Sequence, residues 1–157
     1  MTLVKAKEHL KKYGLDNKVL EFSVSSATVK DAAIALNCKE GEIAKTLSFI
    51  VDKPILIITA GDKKIDNSKY KNEFKTKAKM IPFEDVEKII GHGVGGVCPF
   101  GINEGIDVYL DKSLKDYERV YPACGSSNSA VKLTIPELEK ASNYKKWIDV
   151  CKDINIV

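Results

Sequence analysis

The chain has 157 residues, 44% of them hydrophobic and 30% charged, proportions that fit one folded domain with a sizeable core and exclude a disordered chain. Its formal net charge of +3 gives a mildly basic surface. Such a surface is compatible with an anionic partner but lacks the dense basic stripe of an autonomous duplex-DNA binder.

In chain order, residues 4–13 predict a short amphipathic helix closed by Gly14, and residues 19–22 a first strand. Thr28, with Asp31 three residues on, is placed to cap a helix over VKDAAIAL whose Ala32, Ala33 and Leu36 line one face, and Asn37 ends it. GEIAKTLSFIV runs from a helical turn into a strand. Alternation puts Leu47, Phe49 and Val51 on one face of that strand, and Lys45 shares their parity. A lysine there either snorkels to the sheet edge or points its ammonium into a cleft. After Lys53-Pro54, ILIITA is a continuous apolar run suited to a central strand buried on both faces. Gly61-Asp62 turns the chain, and Asp66 or Ser68 caps a helix containing Tyr70 and Phe74, with the lysines through Lys79 read as a solvated face.

Met80 and Ile81 predict a short strand, Pro82 opens a helix with Val86, Ile89 and Ile90 at helical spacing, and Gly91 ends it. IDVYL predicts a strand, with Asp111 capping the turn at Ser113-Leu114. Residues 119–123 and 130–133 predict two more strands joined by the hairpin-like CGSSNS, Thr134, Pro136 and Glu137 mark a last helix start, and residues 147–150 a closing strand. No repeat or linker interrupts this order. The expectation is one domain over residues 1–157, of the α/β (α+β) class, with a mixed, largely antiparallel sheet and surrounding short helices.

The segment GHGVGGVCPFG, residues 91–101, spends five of the ten glycines in eleven residues. Ordering so many glycines is entropically costly and calls for a return, such as positive φ or close approach of backbone to a ligand. Val94, Val97, Cys98, Pro99 and Phe100 read as anchors that leave the glycine amides free for an anion or a carbonyl oxygen. A long turn packed by its own side chains is the competing reading. Cys38, Cys98, Cys124 and Cys151 form no C-x-x-C pair, and only His9 and His92 could join them, so neither a metal site nor a disulfide framework is expected. The N-terminus has no uninterrupted apolar region, and no stretch approaches the roughly 18 apolar residues of a membrane span. A cytoplasmic protein with reduced thiols follows.

Taken together and in this order, AAIALNCKEGEIAKTLSF, ILIITAGDKKIDNSKY, GGVCPFG, VYLDKSL and ACGSSNS resemble the YbaK/ProX family of aminoacyl-tRNA deacylases, related to the editing domain inserted in bacterial prolyl-tRNA synthetases. The resemblance covers about residues 26–138. It implies that Lys45 lies in an active site near the terminal adenosine of tRNA, and that Gly95-Gly96-Val97-Cys98-Pro99 shapes the pocket for the ester. Lys45, Gly95 and Gly96 are then the catalytic candidates, with Val97, Cys98, Pro99, Phe100, Gly101, Ser127, Asn128 and Ser129 as substrate-binding candidates. No metal and no cofactor are implied. The implied partners are the acceptor end of an aminoacyl-tRNA and, further, an aminoacyl-tRNA synthetase, with neither DNA nor membrane.

Ester hydrolysis requires donors aimed at the developing oxyanion and a positioned water. The sequence offers no evident Ser-His-Asp or Cys-His set. That agrees with the family picture of water activated largely by the ribose hydroxyl of the substrate. Cys98, the one candidate thiol nucleophile, reads better as a buried small residue beside Pro99. Several branches carry an acidic residue or histidine after the position of Gly125, where this chain has Ser129 and Ala130. The contribution of that loop and the amino acid removed are therefore left open. A non-catalytic nucleotide- or aminoacyl-tRNA-binding module, or an accessory subunit of a synthetase, is the alternative reading.

Overall fold

A hairpin supplies the centre of the sheet. In the computed structural model, which describes residues 2–154, the elements run in the order α1 (Thr2–Lys11), β1 (Val19–Glu21), α2 (Val29–Leu36), β2 (Ile43–Ile50), β3 (Pro54–Ala60), β4 (Lys63–Ile65), α3 (Asn67–Phe74), α4 (Val86–Ile90), β5 (Asp107–Asp111), β6 (Arg119–Pro122), β7 (Ser129–Val131), β8 (Leu133–Thr134), α5 (Ile135–Ser142), β9 (Lys146–Ile148) and β10 (Cys151–Asp153). Six strands form one sheet in the order β8-β6-β2-β3-β5-β9, and two small sheets pair β1 with β7 and β10 with β4. The sheet system is mixed. The β2–β3 hairpin and the β6–β8, β1–β7 and β4–β10 pairs are antiparallel, whereas β2–β6, β3–β5 and β5–β9 are parallel.

The apolar run in β3 is buried on both faces, as its composition predicts. Leu56 and Ile58 face a core filled by α1, α4 and α5 together with Phe100, while Ile55 and Ile57 face Phe49, Tyr109 and Tyr70 of α3. Phe49 is buried in this second layer and Leu47 and Val51 pack against it, so the parity read for β2 holds. Rings meet there at 4.8 Å for Tyr70–Phe74 and 5.2 Å for Phe49–Tyr70.

Local chemistry sets most boundaries. Thr28 accepts from the Asp31 amide to start α2, and Asn37 ends it in the left-handed region. Asp66 accepts from the amides of Ser68 and Lys69 to start α3, and Thr134 and Glu137 form a reciprocal capping box on α5. The structure departs from expectation at its short strands. Met80 makes only an isolated bridge to Phe49, the stretch read as 130–133 divides into β7 and β8, and β4 and β10 emerge from lysine-containing segments without an alternating pattern. The first helix starts earlier than expected and closes by Lys11, and the stretch after Pro82 begins as a 3-10 turn, Phe83–Asp85, before α4.

At the end of β5 the buried carboxylate of Asp111 accepts from the Ser113 amide at 3.0 Å and from the Val150 amide at 2.8 Å, and the Ser113 hydroxyl accepts from the Ala60 amide at 3.1 Å. Two side chains, Asp111 and Ser113, thus tie the ends of β3 and β5 to each other and to the segment after β9. Replacing Asp111 with Ala strands two buried amides, each costing about 1–3 kcal/mol. Urea unfolding of Asp111→Ala is expected to show a loss of that order, larger than the loss for Asp111→Asn, which retains one acceptor.

Candidate functional site

The edge of β2 is only partly paired. Its parallel pairing with β6 covers Ile43 and Ala44, and the edge is next engaged where the Ile81 amide donates to Ser48 O at 3.1 Å. Between these points lies a cavity of about 440 Å³. Val29 and Ala32 of α2 wall one side, Ile81, Phe83 and Val86 another, and Val94, Gly95 and Val97 close it. The lining is mainly apolar. Among the described residues Lys45 and Tyr121 are its only titratable side chains, and Ser26, Thr28, Thr46, Ser48 and Ser129 contribute hydroxyl-bearing residues.

Lys45 is half-buried on β2 and its Nζ donates to the Lys63 carbonyl at the start of β4. Burial lowers its pKa from the ordinary lysine value, a shift opposed by nearby Cys151 and Asp62. The side chain therefore borders the cavity while its ammonium is held by a neutral oxygen. No carboxylate forms an ion pair with it among the described residues, which leaves its charge available to an incoming anion or polarised oxygen.

The glycine loop has two functions in this geometry. Gly95 lies at φ +95°, a conformation open to glycine, and lines the cavity close to Ala27 and Ser127. Gly96 is instead a packing glycine. Its amide donates to Gly93 O at 3.0 Å, its carbonyl accepts from the Gly125 amide at 3.0 Å, and a Cβ would lie 2.6 Å from the backbone of both Gly125 and Ser126. Its amide is therefore occupied, whereas those of Gly95 and Val97 have no hydrogen-bond partner among the described residues. Cys98 and Phe100 are wholly buried in the core, Pro99 is buried with them, and Gly101 packs against the Lys5 backbone. These four anchor the loop and do not line the cavity.

The structure brings together a Cys-His pair that the sequence reading did not find. Cys98 Sγ is 3.5 Å from His92 Nε2, and both residues are fully buried. The pair is nevertheless poorly suited to nucleophilic attack. Burial pushes the thiol far above its ordinary value, and His92 Nε2 lies 2.6 Å from the Phe100 carbonyl, which requires the proton on Nε2. His92 Nδ1 is left as a buried acceptor without a partner. The imidazole thus pins the loop from behind.

The loop after Gly125 acts chiefly through its backbone. The carbonyls of Ser127 and Asn128 accept from the amides of Ser26 and Phe22 at 2.7 and 2.8 Å, and Asn128 Nδ2 donates to Phe22 O at 2.9 Å. These bonds position the segment that carries Ala27 and Thr28 to the cavity wall. Ser129 does line the cavity, with its hydroxyl 2.6 Å from that of Ser126. Sequence reasoning missed the cavity roles of residues 26–29, Met80, Phe83 and Tyr121. The Thr28 cap was the one available signal, since it fixes where α2 starts.

The six-stranded mixed sheet, with a cavity at the open edge of its central hairpin closed by a glycine loop, is the fold on which this chain carries an editing-domain sequence. The family model for the aminoacyl-tRNA editing domain matches residues 24–141, and the chain belongs to that family. It is 48% identical over 155 residues to the uncharacterized protein YwhH of Bacillus subtilis (strain 168), covering 98% of this chain and 99% of the relative. It is 29% identical over 91 residues to a proline–tRNA ligase of Leuconostoc mesenteroides, covering 57% of this chain and 16% of the ligase. A crystal structure described as a candidate trans-editing enzyme for prolyl tRNA synthetase superposes with a TM-score of 0.86 at 27% identity, over 96% of this chain and 97% of the other.

Two outcomes follow from the loop. Gly96→Ala forces backbone apart and is expected to destabilise the fold by about 1–3 kcal/mol, as overpacking does. A melting curve unchanged from wild type would show that the close approach is not needed.

The second outcome concerns pH. Burial lowers the pKa of His92 from the ordinary 6.5, and protonating Nδ1 would bury a donor with no acceptor. The unfolded state then takes up the proton first. Stability from the neutral ring is complete above about pH 6.5 and is lost as pH falls through the lower folded value. Melting temperature followed from pH 7.5 to 5 is expected to fall more steeply in wild type than in His92→Gln.

Proposed function

We propose that this chain is a trans-editing hydrolase that removes the amino acid from mischarged aminoacyl-tRNA by attack of water on the ester, acting in the cytoplasm on the acceptor end of tRNA. The observation that carries the reading is the cavity itself: an apolar chamber of about 440 Å³ bordered by one cation, Lys45, and by two loop residues, Gly95 and Val97, whose amides are unpaired among the described residues. The solved structure described as a candidate trans-editing enzyme, matched over 97% of its length, supports this reading.

In this reading the aminoacyl group enters the cavity, and Lys45 and the amides of Gly95 and Val97 offer positive charge to the carbonyl oxygen and the terminal ribose. Donors held in place before the reaction stabilise the negative oxygen of the tetrahedral state without reorganisation. Among the described residues no carboxylate, imidazole or thiol lines the cavity. The ribose hydroxyl beside the ester is then the nearest group to orient the attacking water, relaying a proton by giving its own to the departing ribose oxygen as it accepts one from the water, and the protein acts by positioning and electrostatics.

The absence of a base from that wall also favours a second reading, a module that binds the aminoacyl end without hydrolysing it. A panel of correctly and incorrectly charged tRNAs separates the two. Release of free amino acid above the spontaneous rate from at least one member supports the hydrolase, and retention of the ester by bound tRNA supports the module. Within that panel Lys45→Ala is expected to melt close to wild type while losing most activity, on the order of 100-fold or more if it removes one oxyanion donor. Equal loss of stability and activity would make Lys45 structural.

A further inference from the structure

The chain leaves several large apolar side chains exposed, and three of them gather at one place. Phe83 at 73% exposure, Met80 at 54% and Val94 at 50% all border the cavity described above. Phe83 is the most exposed large apolar side chain of the described residues, and no aromatic ring there packs against it. It sits on the 3-10 turn Phe83–Asp85, whose neighbour Val86 is buried in the core, so the turn is fixed while its aromatic is presented outward.

The charge on either side of Met80 and Phe83 is ordered along the chain. Lys75, Lys77 and Lys79 are exposed, make no ion pair among the described residues, and lead directly to Met80. Beyond Phe83 the sign reverses at Glu84, Asp85 and Glu87, with Lys88 the one cation on that flank before Gly91. A polyanion is attracted on one flank of the ring and repelled on the other, which suits a strand that ends there.

We propose that Phe83, flanked by Met80 and Val94, is a stacking platform for the terminal base of single-stranded RNA, and that Lys75, Lys77 and Lys79 take the phosphates leading to it. The proposal rests on the reading of the cavity as the aminoacyl site, because a base stacked at the rim places its ribose at the entrance. An exposed aromatic accepts any base face, and lysines without acidic partners release counterions when they meet phosphate.

The test uses a short RNA ending in CCA with 2-aminopurine in place of the terminal adenine, whose fluorescence is quenched on stacking, with no amino acid attached. Quenching by wild type, loss of quenching with binding weakened on the order of tenfold in Phe83→Ala, and recovery in Phe83→Tyr are expected. The triple Lys→Gln variant at 75, 77 and 79 should flatten the dependence of binding on salt by about two to three phosphate contacts while keeping the quench at low salt.

Equal quenching and affinity in Phe83→Ala overturns the platform, and an unchanged salt slope in the lysine variant overturns the phosphate path. The two levels of inference fail separately. Quenching without hydrolysis of any charged tRNA removes the hydrolase reading and keeps the platform, whereas hydrolysis with an unchanged KM in Phe83→Ala removes the platform and keeps the hydrolase.

Discussion

The contact on which the cavity depends is backbone against backbone, Gly96 against Gly125 and Ser126. Two loops far apart in sequence approach until no side chain fits between them, and a hydrogen bond from the Gly125 amide to the Gly96 carbonyl holds them. That approach carries Gly95 and Val97 to one wall of the cavity and Ser129 to another. From the same loop, Ser127 and Asn128 reach across to the segment before α2 and fix Ala27 and Thr28. Three walls are thus positioned from one junction, while Lys45 is positioned independently by the hairpin.

The hairpin sets a different constraint. A strand at the centre of a sheet satisfies its backbone on both sides, and an open stretch of edge is usually covered. Here β2 is paired with β3 along most of its length but engaged on its other side only near its two ends. The open middle is where the cavity lies, covered at a distance by α2 and the glycine loop. Lys45 stands at the first residue beyond the β6 pairing. A fully paired β2 would leave neither the space nor a reason for a lysine at that register.

Much of this was legible in the sequence because it rests on local rules. Period-two alternation assigned Leu47, Phe49 and Val51 to one layer, and β3 read as doubly buried from its unbroken apolar run. The caps of α2, α3 and α5 lay in side chains that bond their own neighbours. β4 and β10 were not legible, since each has three residues and gains its strand conformation from the other across a separation of about ninety residues. The division of labour within the glycine loop was hidden for a related reason. Gly95 and Gly96 look alike in sequence, and only the arrival of Gly125 distinguishes the one that lines the cavity from the one that is packed.

The same distinction explains why a buried Cys-His pair sits beside the cavity without the character of a catalytic dyad. A nucleophilic thiolate needs a polar, reachable setting and a base whose second nitrogen is oriented by a further group. Cys98 and His92 have neither: the thiol is enclosed, and the imidazole donates its Nε2–H to the Phe100 carbonyl while its other nitrogen has no partner among the described residues. What the pair can do is hold the loop from its core side, where the Gly125 backbone also meets the Cys98 thiol. A loop held at both Gly96 and Cys98 keeps its unpaired amides in fixed positions. Under the hydrolysis proposed above, fixed donors and a single lysine, in a cavity with no carboxylate, imidazole or thiol among its described lining residues, are what would favour a developing negative charge over the neutral ester.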